Sequence, residues 1–120
     1  MKKLLILAIV LLTVGFVNAQ CYVNDYSSGR KVLKSDGDYI IDYNTSRKLY
    51  KFDGEYLIDY SSGKKLVRFD GDYVISYSDG KKIAKLDGEY VTSYSNGRKV
   101  AKLECPGRKS ALAAACYFLL

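Results

Sequence analysis

Lysine recurs at a fixed interval among tyrosines in this chain, and that pairing is the pattern best suited to chemistry. Lys31, Lys48, Lys65, Lys82 and Lys99 are spaced by 17 residues, and each follows a second basic residue: Arg30, Arg47, Lys64, Lys81 or Arg98. Three residues further on come Lys34, Lys51, Arg68, Lys85 and Lys102. Cationic groups interleaved with aromatic rings hold polyanions through charge and through the ring faces. We take Lys31, Lys48, Lys65, Lys82, Lys99, Lys51, Arg68 and Lys85 as the candidate polyanion-binding set. The simpler reading is a solvated strand face whose lysines discourage edge pairing. The tyrosine rows have two readings as well: a stacking surface for carbohydrate, or strand-forming positions of structural value.

Other reactive groups offer less. Asp36-Gly37-Asp38, Asp53-Gly54-Glu55, Asp70-Gly71-Asp72 and Asp87-Gly88-Glu89 put carboxylates on both sides of four turns. A ring of them could hold a cation, since calcium uses several carboxylate oxygens. No calcium-loop spacing is present, however, and turn geometry explains the motif, so we expect no metal site. Histidine is absent, which removes the commonest general base and the commonest metal ligand. Ser and Asp recur in every unit, whereas an active site needs unlike groups converging asymmetrically. We expect no catalytic residues, no cofactor and no enzymatic activity. The three cysteines, Cys21, Cys105 and Cys116, leave at least one unpaired in a monomer. Cys21–Cys105 would latch the ends of the repeat array if it closes. Cys105–Cys116 is an equal alternative, and buried free thiols are a third.

The elements that position these groups begin after a targeting segment. Lys2 and Lys3 precede an apolar run from Leu4 to Val17, and Val17-Asn18-Ala19 reads as a cleavage site. Residues 1–19 therefore read as a signal peptide, and export places the protein in the periplasm, at the outer membrane or outside the cell. Disulfides persist there. The partners available there are anionic glycan, lipid head groups or envelope protein rather than nucleic acid. Without the leader the net charge falls from +6 to about +4, because Lys2 and Lys3 leave with it.

Residues 20–104 divide without gaps into five units of 17 residues, beginning at Gln20, Gly37, Gly54, Gly71 and Gly88. Each reads as two short strands and two tight turns, which makes the domain all-β. The five units form a meander of ten strands that closes into a ring or barrel, since a single unit cannot bury a core and closure removes edges. Asp-Gly predicts a type I′ turn, and Ser-x-Gly a three-residue loop with a bulge. Flat pairing across Asp-Gly would set Lys48 opposite Asp59 and Lys31 opposite Asp42 as ion pairs. Leu57, Leu66 and their equivalents are the strictest aliphatic positions. They share a face only if each Ser-x-Gly turn carries a bulge. We expect both lines to be buried, with tyrosine rings shielding their margin.

Residues 105–120 leave the pattern. Pro106-Gly107 stops the last strand, Ser110 is a candidate N-cap, and Ala111–Leu119 is apolar on every side. We expect a short helix that plugs or caps the repeat core; the alternative is a tail that touches a membrane or a partner. The units Tyr43–Gly54, Tyr60–Gly71 and Tyr77–Gly88, with the tail Ala111–Leu120, resemble the small β-flower repeat proteins of bacteria. That resemblance implies a secreted β-repeat fold without assigned catalytic residues. The family is described as four-fold, whereas five units stand here. The function expected is that of an exported, non-enzymatic module that binds or scaffolds at the cell envelope. The rival is a self-assembling structural protein.

Overall fold

The computed structural model describes residues 21–120, so the expected leader lies outside the described residues. Ten strands follow one another: β1 (Cys21–Asp25), β2 (Lys31–Asp36), β3 (Tyr39–Asp42), β4 (Lys48–Phe52), β5 (Tyr56–Asp59), β6 (Lys65–Asp70), β7 (Tyr73–Ser76), β8 (Lys82–Asp87), β9 (Tyr90–Ser93) and β10 (Lys99–Leu103). Each pairs antiparallel with its sequence neighbour, and β1 pairs with β10, closing the barrel. A helix, α1 (Arg108–Leu119), follows β10.

Two kinds of turn set the register, and both differ from the simple expectation. Across the Asp-Gly junctions the paired residues are Asp36 and Tyr39, or Asp70 and Tyr73, so the two-residue loop is Gly-Asp and not Asp-Gly. Gly37 is left-handed at φ 60° and the acidic residue after it is not, the arrangement of a type II′ turn. At the Ser-x-Gly junctions the loop has four residues: Asp25 N–H donates to the Arg30 carbonyl, and Gly29 N–H to the Asp25 carbonyl. These shifts correct the expected ion pairs. Asp59 lies opposite Tyr50 and Asp42 opposite Leu33, while Lys48 lies opposite Ile41.

A bulge accompanies the Ser-x-Gly hairpins. Leu57 pairs with Val67 and Ile58 with Lys65, leaving Leu66 as the extra residue. The Leu57 line (Val23, Ile40, Leu57, Val74, Val91) is fully buried. The Leu66 line is only half-buried, packed against the edge of the core. The deeper second line comes from the next position, with Leu33, Val67, Ala84 and Ala101 buried and Tyr50 partly so. Its mixture of large and small residues concealed it in the sequence.

The helix occupies the lumen. It touches β1, β2 and β5 through β10, and Ala111, Leu112, Ala113, Ala114 and Ala115 are 0% exposed. A helix with ordinary side chains is roughly 10–12 Å across. Alanines on every side slim it to fit inside ten strands, which explains an apolar surface with no polar face. Ser110 is not the N-cap: the helix starts at Arg108 after Gly107, and Ser110 is buried in its first turn. Lys109 Nζ reaches the Gly37 carbonyl at 2.6 Å, which fixes the helix N-terminus at the Asp-Gly mouth.

Four Gly-acid turns join the units at that mouth, and the fifth junction is the chain seam. There Cys21 and Cys105 form a disulfide with Cα atoms 5.5 Å apart and a sequence separation of 84. A covalent bond thus stands where a fifth turn would be. A loop of this length contributes about 4 kcal/mol through restriction of the unfolded chain. Replacing both cysteines, Cys21→Ser with Cys105→Ser, should lower the unfolding free energy by about that amount in urea titrations. Ser46 takes the place of the loop glycine in the second unit and is left-handed at φ 62°, alone in this among the described non-glycine residues. Ser46→Gly should therefore stabilise the barrel by about 1 kcal/mol, read as a raised thermal midpoint.

Candidate functional site

The Ser-x-Gly loops gather at one mouth of the barrel and carry the polar groups most densely. Each loop is built around a carboxylate or hydroxyl at the end of a strand. Asp25 accepts hydrogen bonds from Ser27 and Ser28, and Asp59 from Ser61 and from both the hydroxyl and N–H of Ser62. Asp42 accepts from the Thr45 N–H and hydroxyl. In the last two units Ser76 and Ser93 stand there instead and pair with Ser78 and Ser95. The Ser28 hydroxyl holds the Asp25 carboxyl below its ordinary value, and the Ser62 hydroxyl does the same for Asp59. At the opposite mouth the Tyr56 N–H lowers Asp53 likewise.

The loops end in the predicted basic residues. Lys65 Nζ lies 4.3 Å from the Tyr56 ring centroid and 5.7 Å from that of Tyr77. Lys48 sits equally over Tyr39 and Tyr60, Lys82 over Tyr73 and Tyr94, and Lys99 over Tyr90 and Tyr26. In the first unit Lys31 covers Tyr22 alone, at 4.7 Å. The two rings of each cluster meet edge to face at 5.4–5.8 Å, and the Tyr26–Tyr90 pair carries the belt across the seam. The belt is therefore a structural girdle. Its outer tyrosines (Tyr26, Tyr43, Tyr60, Tyr77, Tyr94) still stand about half exposed, at 45–52%. Lys51 and Lys85 approach Tyr39 and Tyr73 more loosely, at 6.0 and 5.9 Å. Arg68 lies opposite Tyr56 on the same outer face.

The structure thus brings Lys31, Lys48, Lys65, Lys82 and Lys99 into one ring at one end, with Arg30, Arg47, Lys64, Lys81 and Arg98 beside them. It leaves Lys51, Arg68 and Lys85 on the barrel wall. The acidic turns form the other end, which holds nine of the 13 acidic residues. Among the described residues the one ion pair is Lys102–Glu89, at 3.8 Å and well exposed. No group of three His, Cys, Asp or Glu among them is placed to hold a metal ion.

An open groove of about 750 Å³ lies in the basic rim, lined by Asp25, Ser28, Arg30, Lys31, Val32, Tyr43 and Asn44. Its unlike polar groups are loop residues with counterparts in the other units, and its carboxylate is committed to Ser27 and Ser28. What the sequence did not reveal is the exit of the helix at this same rim. At roughly 1.5 Å per residue its 12 residues run about 18 Å, the length of a five-residue strand. Leu119 emerges beside Lys82, Ile83, Ser93 and Ser95. Tyr117 and Leu120 are exposed there. Just inside, Cys116 is a buried free thiol, which burial pushes up to about 12. Burial raises the nearby Tyr50 hydroxyl as well. No protein-family model, no curated protein and no solved structure matches the chain.

Hydrogen bonds that favour ionised Asp25, Asp53 and Asp59 support the fold above the unfolded carboxylate value of roughly 3.9, and that support is lost as pH falls through the lowered folded values. Thermal midpoints should stay level from neutral pH down to about 5 and drop below about 4. The drop should be shallow, because these carboxylates are exposed, and smaller in Asp59→Asn.

Proposed function

We propose that this protein is an exported, non-enzymatic binding module of the cell envelope that presents the basic, tyrosine-rich end of a rigid barrel to polyanionic partners. The observation that carries the reading is the segregation of charge along the barrel axis. Ten basic side chains crowd the Ser-x-Gly rim with four acidic ones, Asp25, Asp42, Asp59 and Asp79, while the other acidic residues sit at the far end. A surface with a strong net charge attracts opposite charge and orients it. The five-fold repetition of the same loop favours an extended partner with many equal charges over a small substrate. It also speaks against catalysis, which needs unlike groups held once. Kinship with the β-flower proteins is part of the proposal, resting on the shared strand-and-turn pattern.

The same segregation favours a second reading, self-assembly, in which the acidic end of one copy meets the basic end of the next. Such a head-to-tail contact is heterologous and builds open filaments. The two readings separate by experiment. On immobilised heparin, polyanion binding gives retention that falls steeply with salt. The double variant Arg47→Gln with Lys64→Gln should elute earlier, and Lys102→Gln with Arg108→Gln, an equal charge loss away from the rim, should not. No retention at low salt, together with salt-sensitive growth of mass in light scattering, would give the place to self-assembly.

A further inference from the structure

We propose that the basic rim docks on an anionic lipid bilayer, with the C-terminal tip of the luminal helix entering the interface. This rests on the polyanion reading above and names its partner. Three features with separate structural causes converge on one mouth. The first is apolar: Tyr117 and Leu120 are exposed at 41% and 58%, with Phe118 and Leu119 half-buried behind them. Tyr117 and Phe118 brace each other edge to face at 5.0 Å. The second is the ring of half-exposed tyrosines, Tyr26, Tyr43, Tyr60, Tyr77 and Tyr94. Tyrosine favours the head-group level, where its ring is sheltered and its hydroxyl wet. The third is the basic rim, with a polarity suited to anionic head groups.

The geometry also sets the depth. The strands have four to six residues, shorter than the roughly 9–11 needed to span a bilayer, and lysines circle the wall. The barrel therefore sits on the membrane and does not cross it. The four rim carboxylates, Asp25, Asp42, Asp59 and Asp79, keep the tip at head-group depth. Because the helix is held by the lumen from Ser110 to Cys116, the tip is presented without an ordering cost at docking. The acidic mouth makes a poorer receptor for this tip: Pro106–Lys109 enters there, and Lys109 is bonded to Gly37.

The test is sedimentation of the folded protein, residues 20–120, with vesicles of phosphatidylcholine alone and of phosphatidylcholine mixed with phosphatidylglycerol. Binding is expected to the mixed vesicles only and to fall with salt. Tyr117→Ser with Leu120→Ser should weaken it by roughly tenfold through lost apolar contact, at unchanged thermal midpoint and unchanged heparin elution. Arg47→Gln with Lys64→Gln should weaken it by a similar factor, and Lys102→Gln with Arg108→Gln by much less. Heparin retention without vesicle binding would overturn this inference and leave the polyanion reading standing; loss of both would overturn both. Equal weakening by rim and distal charge variants, or indifference to the tip variant, would also overturn it. So would salt-sensitive oligomers in place of vesicle binding, which would assign the rim to a second copy.

Discussion

Filling the lumen is the condition on which the rest of the structure depends. Eight strands close around their own side chains, but ten leave a space that inward residues of ordinary size do not fill. An empty apolar space of that size would forfeit the dispersion contacts of every residue lining it. The chain supplies its own filler. The alanine-rich helix brings 0%-exposed residues against both inward lines of the strands, and its narrowness is matched to the ring around it. The array and the tail are therefore one cooperative unit, although the sequence changes character at Pro106.

The filler also breaks the symmetry of the ring. Five nearly equal units give each mouth five-fold repetition, with short acidic turns at one and longer basic, tyrosine-rich loops at the other. A helix that enters at the acidic mouth and leaves at the basic one makes the two ends different in kind. One holds the disulfide, the chain entry and the Lys109 contact. The other holds the only exposed apolar side chains of the helix, in the midst of a tyrosine and lysine girdle. The tail thus adds a second polarity to the one that the repeat sets in charge.

Much of this was legible beforehand, because repeat proteins write local geometry many times. Strand count, closure and a buried helix follow from turn residues at fixed spacing and from an apolar segment with no polar face. The turns were the part that residue types left ambiguous. Reading Asp-Gly as the loop, where Gly-Asp is the loop, moved the pairing by two residues and created the Lys48–Asp59 and Lys31–Asp42 ion pairs that the register does not allow. Leu66 gives way to Val67 in the core for a different reason, the bulge in the Ser-x-Gly hairpin, because one extra residue decides which neighbour faces inward.

The sequence by itself determined the repeat, the ten strands, the basic and tyrosine periodicity and the apolar tail. These are properties of local spacing, and each unit states them again. Only the tertiary structure decided that the lysines nest between tyrosines of adjacent units, that Cys21 and Cys105 meet across the seam, and that the helix tip surfaces among the basic loops. Those depend on closure, which brings together residues distant in the chain. Closure also turns a charge alternation repeated every 17 residues into two opposed ends, because an up-and-down meander sends every turn of one kind to the same mouth.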